Sequence, residues 1–419
     1  VSDAVGLERN RTLDRSSLVP LVCFLSPLVT SAVPRLTWLF LPLLALSFAV
    51  AALRGGGDWR RLIKPNAALI AMLLVTGYTL LSAVWAANPA AAIGKGALLF
   101  FATLITFAAI GALAEVDAER LRRPALAFAA GAFLGGLFIL FELLTDAALA
   151  RAFGSLIAWL KPAAAQQAIH GSKLNQNVAI VMFNLWSGLL ALQMLEGRRR
   201  RAVASFLFAL AIAVPVLLSY HQSSQFALLL SVFVFLLAQL WPKAVVRTLA
   251  AVWCLGFALV LPLSFAAYNA DLHLASWMPS SFKARIIIWE YTAERALERP
   301  WIGIGARSTR GLRQAEDLAE KPEGFVLSRN TGIHAHNVFL QSWYELGLVG
   351  VILIAFASAM IALRISLLPL EVVPFAGATF TTFLATASVA WGMWQTWLIC
   401  AVGLMAVYLR LAVAARRKS

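Results

Sequence analysis

The stretch Ser281–Gly350, SFKARIIIWEYTAERALERPWIGIGARSTRGLRQAEDLAEKPEGFVLSRNTGIHAHNVFLQSWYELGLVG, begins as the one long polar interlude in an apolar chain. Phe282, Ile286, Trp289, Ala293 and Ala296 recur at three- and four-residue spacing, which predicts a helix. Pro300 ends it, and Trp301-Ile302-Gly303-Ile304-Gly305 reads as a tight turn under an aromatic anchor. A new apolar segment opens at Asn337. His334-Ala335-His336-Asn337 therefore stands where chain emerging from water re-enters lipid.

Around this interlude the composition decides the class. Of 419 residues 61% are hydrophobic and 13% charged, with mean hydropathy +0.80, which excludes an ordinary soluble domain. The net charge of +15 sits largely in short clusters between apolar runs, at Arg60-Arg61, Arg120–Arg123, Arg198–Arg201 and Arg416–Lys418. That placement is the positive-inside signature of a membrane protein and excludes nucleic acid as a partner. Cys23, Cys254 and Cys400 all fall in apolar runs, so neither a disulfide framework nor a Cys-rich metal site is expected. The first sixteen residues read as a cytoplasmic tail without a cleavage-site pattern.

A membrane-spanning helix needs about 20 mostly apolar residues. Twelve candidates follow, at roughly 17–34, 36–53, 66–86, 94–114, 125–144, 175–195, 202–219, 225–241, 248–267, 337–363, 372–391 and 394–413. The expected fold is thus an all-α polytopic bundle in three parts: spans one to nine in 1–267, a helical lobe in 268–336, and spans ten to twelve in 337–419. Lys and Arg gather on the side of both termini, so these are expected in the cytoplasm and the 268–336 lobe outside, among membrane lipids as neighbours. Ala150–Leu160 reads as an amphipathic interfacial helix. No P-loop or dinucleotide fingerprint is present, and no cofactor is expected.

Arg285-x-x-x-Trp289, Pro300–Gly305, His336-Asn337-x-x-Leu340-Gln341 and Glu345-Leu346-Gly347-Leu348-x-Gly350, in this order, resemble the O-antigen ligase and polymerase superfamily. The resemblance implies a polytopic glycosyltransferase of the Gram-negative inner membrane with its site facing the periplasm. It implies transfer of O-antigen from undecaprenyl diphosphate to lipid A–core. A polymerase and a protein O-glycosyltransferase of the same superfamily stay open as alternatives. A transporter is the rival from another class; Glu142, near the end of its span, is the main ionisable residue it would use.

His336 is the leading catalytic candidate. A neutral imidazole accepts a proton from a sugar hydroxyl near neutral pH, and the resemblance puts this role on the histidine before the asparagine. His334, two residues earlier, is expected to point elsewhere on an extended approach. No Asp, Glu or Cys accompanies the pair at ligand spacing, so no metal is expected. Arg285 is the second catalytic candidate, because a guanidinium forks onto phosphate oxygens and stays charged. Arg307, Arg313, Lys173, Asn337, His334 and Gln225 form the substrate-binding set. Superfamily members usually carry a serine-arginine pair where this chain has Ser224-Gln225, so the missing charge must come from elsewhere, with Lys173 and Arg307 in view.

Overall fold

The computed structural model describes residues 18–153, 171, 174–310 and 334–416. Fourteen α-helices are set out among them: α1 (Val19–Ala32), α2 (Thr37–Arg54), α3 (Ala67–Leu81), α4 (Pro89–Glu115), α5 (Ala118–Leu144), α6 (Asn175–Phe183), α7 (Leu185–Leu192), α8 (Arg198–Leu218), α9 (Gln222–Leu240), α10 (Pro242–Asn269), α11 (Ser280–Glu298), α12 (Val338–Ser366), α13 (Val373–Val389) and α14 (Thr396–Ala414). No strand occurs among the described residues. The chain is an all-α polytopic membrane protein.

Nine helices are long and apolar enough to cross a bilayer among the described residues. The expected spans at 17–34 and 372–391 are shorter apolar helices, Val19–Ala32 and Val373–Val389. The expected span at 175–195 is two helices, α6 and α7, divided at Asn184, whose side-chain amide donates to the Ile180 carbonyl. Almost every residue of this pair is buried. A break here faces protein, where freed backbone groups find partners that lipid could not offer.

The peripheral helices show the opposite pattern. Trp38, Leu229, Leu255 and Ile352 are more than half exposed on α2, α9, α10 and α12, as lipid-facing side chains should be. Between helices, small residues allow close approach. Gly131 and Gly135 of α5 lie against the backbone and Ser31 of α1, leaving no room for a β-carbon. Deep in the bundle the Tyr408 ring stacks on Phe128 at 4.2 Å and its hydroxyl is hydrogen-bonded to Ser26.

The turns meet in two groups. Arg61 approaches Glu115 at 3.8 Å and Arg122 approaches Glu196 at 3.1 Å, among the turns expected inside. Arg35, Gln176, Arg307, His334 and Gln395, from turns and helix ends expected outside, line one common cavity. Ala150–Leu160 lies largely outside the described residues.

Candidate active site at one end of the bundle

Helix α11 forms as its periodicity predicts, burying Ile286, Ile287, Tyr291, Ala293 and Ala296. Its exit at Arg299 precedes Pro300. Trp289 sits one turn after Arg285, and its indole N–H donates to the Ala335 carbonyl at 3.1 Å. Two residues a turn apart share a helix face, so this bond brings Arg285 to the histidine segment. Arg285 also lies within electrostatic reach of both His336 and His221, and Phe282 offers its ring to the guanidinium at 5.2 Å.

The histidine segment departs from expectation. His334 and His336 do not point apart; their ring centroids are 4.1 Å from each other. Residues two apart share a face of an extended chain, which already favours the approach of the two rings, and His336 itself has a φ of 53°. This left-handed conformation costs about 1 kcal/mol or more in a non-glycine residue, and such strain clusters at functional sites. Asn337 then caps α12, its Oδ1 accepting from the N–H of Phe339 and Leu340. Asn337 is thereby engaged in holding the helix start.

His336 Nδ1 lies 2.9 Å from the Ala390 carbonyl. A carbonyl only accepts, so Nδ1 carries the proton and Nε2 keeps its lone pair. Burial draws His336 below the ordinary histidine value and Arg285 lowers it further, while the Ala390 bond acts against them. His334 is pushed down to about 3, by burial first, then by His336, Arg307 and Arg310. Its Nε2 is buried without a hydrogen-bond partner, as are Arg285 Nη1, Ser223 Oγ and Trp391 Nε1. Buried polar groups in folded proteins are usually met by a partner, so these groups can form hydrogen bonds with water or a ligand.

The glycine turn has another office. Ile304 and Gly305 donate to the Tyr344 and Glu345 carbonyls, at 3.0 and 2.8 Å, and Leu348 and Val349 donate to the Pro300 and Trp301 carbonyls. Helix α12 is broken at Gly347 (φ 62°), and the turn supplies the partners that the break removes. A β-carbon on Gly303 or Gly347 would come within 2.5 Å of the facing backbone. Two of the recognised fragments therefore interlock with each other, and the glycines are there for backbone contact.

Glu345 secures the next segment. Fully buried, its carboxylate accepts from the Arg307 N–H, the Thr309 N–H and hydroxyl, Gln341 and the Trp394 indole. That clamp fixes Arg307 and Arg310 at a cavity of about 410 Å³, which His334 also lines. Gly392 makes room for the His334 ring, since a β-carbon there would meet it at 2.8 Å.

Of the other candidates, Gln225 donates its amide to the Leu217 and Ser219 carbonyls, closing the α8–α9 turn. In that turn His221 is hydrogen-bonded to Ser224 at 2.6 Å and depressed to about 4, by burial and then Arg285. Arg313 and Lys173 lie outside the described residues. Glu142 is fully buried and accepts from the N–H groups of Leu149 and Ala150, so it caps a local turn, which takes the main support from the transporter reading. Arg35 and Arg310, which line the cavity, are not among the candidates that the sequence pattern singles out.

Residues 206–355 match the model of a family described as O-Antigen ligase. That span runs from α8 into α12 and includes Arg285, both histidines and both halves of the interlock. The chain is also similar to the exopolysaccharide production protein ExoQ of Rhizobium meliloti (strain 1021), 32% identical over 91 residues, 21% of this chain. The matched stretch spans 20% of the length of that relative.

Proposed function

We propose, from the match of residues 206–355 to a family described as O-Antigen ligase and from the likeness to ExoQ, that this chain is an O-antigen ligase. In this reading it joins O-antigen from undecaprenyl diphosphate to a sugar of lipid A–core. The observation that carries the chemistry is the bond from His336 Nδ1 to Ala390, which leaves Nε2 free as a base beside Arg285. His336 takes the proton of the acceptor hydroxyl as its oxygen attacks the anomeric carbon. The bond from that carbon to the diphosphate oxygen breaks, and its electron pair leaves with the diphosphate. Arg285 meets the growing negative charge. A single displacement of this kind inverts the anomeric centre. The diphosphate is already an activated leaving group, so transfer proceeds without ATP and in the presence of a chelator.

The same proposal sets the site on the periplasmic face of the inner membrane of a Gram-negative cell. It has twelve spans, with both termini inside, divided at 1–267, 268–336 and 337–419. The gathering of the expected outer turns around one cavity supports setting them together on one side of the bundle. A second reading draws on the exopolysaccharide relative: a polymerase, whose acceptor is another lipid-linked repeat.

The test is purified protein in nanodiscs with lipid-linked donor and, separately, lipid A–core or a second lipid-linked repeat. Product on lipid A–core supports the ligase, and lengthened lipid-linked chains move the assignment to the polymerase. Product in neither sinks the glycosyl-transfer reading.

A further inference from the structure

We infer that the 410 Å³ cavity beside the histidine pair is a subsite for a phosphate-type oxyanion, held by Arg35, Arg307 and Arg310. The inference rests on the glycosyl-transfer reading and adds to it a second anion-binding point besides Arg285.

Three guanidinium groups line this one hole. Among the described residues none of the three makes a side-chain hydrogen bond or ion pair. The one carboxylate in the wall, Glu345, is occupied by backbone N–H groups, a hydroxyl, an amide and an indole, and by none of these guanidiniums. Among the described residues the cavity is therefore positive in sum. Arg310 acts against the charge of Arg307 while Glu345 acts in its favour, and both arginines act on His334. Three guanidiniums facing one carboxylate leave an excess of positive charge that a bound anion offsets. Guanidinium is the side chain best shaped to fork onto phosphate oxygens. The volume lies in the range of about 300–1,000 Å³ usual for small-ligand sites.

The three arginines come from separate, anchored pieces. Arg35 lies in the 3₁₀ turn Pro34–Leu36, where the Asn177 amide donates to the neighbouring Ser31 and Ala32 carbonyls. Arg307 is held through its own N–H on Glu345, and Arg310 closes the short 3₁₀ turn Ser308–Arg310. Gln176, in the first turn of α6, and Gln395, before α14, add neutral amides. Arg35, Gln176 and Gln395 lie outside the 206–355 match, so the subsite joins the matched region to the two ends of the chain. It also offers positive charge that Ser224-Gln225 lacks. The oxyanion has two possible sources, the donor diphosphate and a phosphate substituent on the acceptor glycolipid.

The experiment is equilibrium dialysis of radiolabelled inorganic pyrophosphate against the full chain in phosphatidylcholine nanodiscs. Arg35→Gln and Arg310→Gln should each weaken binding about tenfold, and the pair should weaken it further. Arg364→Gln, at the far end of α12, should leave binding unchanged. Both positions are exposed, so matched melting curves are expected for all variants. Parental affinity in both single variants, or an equal loss in Arg364→Gln, overturns the subsite. In transfer assays a raised KM for the donor alone assigns the oxyanion to the diphosphate, and a raised KM for the acceptor alone assigns it to an acceptor phosphate. Either result supports the subsite. Arginine-dependent pyrophosphate binding with no glycosyl transfer would sink the reaction and keep the subsite; normal transfer by Arg35→Gln and Arg310→Gln with parental KM values would sink the subsite and keep the reaction.

Discussion

The two halves of the recognised motif differ in how their polar groups are satisfied. In the interlock of Pro300–Gly305 with the break at Gly347, donors and acceptors pair across the contact, and Glu345 below it accepts from several groups. Around His336 the reverse holds: Arg285 Nη1, His334 Nε2, Ser223 Oγ and Trp391 Nε1 are buried and unpaired. Both halves resemble the same superfamily, yet one serves as scaffold and the other is the half proposed to carry the chemistry. Partner satisfaction separates them, because a group that has spent its hydrogen bonds on the fold has none left for a ligand.

The sharpest way to break this comparison lies on the unsatisfied side. His336→Ala should lower transfer by about 10²–10⁴, the usual worth of a positioned base. Pyrophosphate binding and thermal unfolding should stay near parental. His334→Ala should cost less in turnover. Single-turnover assays of both variants decide which histidine is the base, and a dead His334→Ala beside a near-normal His336→Ala would exchange their roles.

On the satisfied side the loss should appear in stability. Gly347→Ala places a β-carbon within 2.5 Å of the Ile302 and Trp301 backbone at a positive φ. Strain and overpacking together should cost about 2–4 kcal/mol. A lowered melting temperature in detergent is the readout, and an unshifted one would deny the interlock its structural part.

Acid should lower transfer and stability through different histidines of the unsatisfied half. His336 titrates below its ordinary value, so the base stays neutral through pH 7 and transfer should fall only as pH drops below about 6.5. Folded His221 and His334 titrate near 4 and 3, whereas in the unfolded chain they titrate near 6.5. Between these values the unfolded chain binds more protons, so their contribution to stability is present above about 6.5 and is lost as pH falls through 4 and 3. Melting curves from pH 7 to 4.5 check the sign. A melting temperature that rises on acidification would contradict the burial of these imidazoles.

The smallest effect is expected at Gln225. Its amide already serves the Leu217 and Ser219 carbonyls, so Gln225→Ala should leave transfer within about threefold and cost about 1 kcal/mol of stability. A loss as large as that of His336→Ala would restore Gln225 to the substrate-binding set.

Much of this protein was legible from local pattern. The apolar runs, α11 ending before Pro300, and the restart of helix at Asn337 follow from periodicity and from residues that stop or cap helices. These signals need only neighbours within a few positions. What the sequence left open depends on direction and distance in space. The expectation that His334 points away from His336 fails, since residues two apart share a face of an extended chain and the two rings lie 4.1 Å apart. The run at 175–195 has the composition of a span, but its burial at the centre of the bundle permits a break at Asn184. Arg35 and Arg307 are far apart in sequence and stand at the same cavity because the end of α1 and the Glu345 clamp of α12 bring them to one place. Helix packing sets that meeting, through side-chain shape across the whole bundle, and no local spacing of residues encodes it.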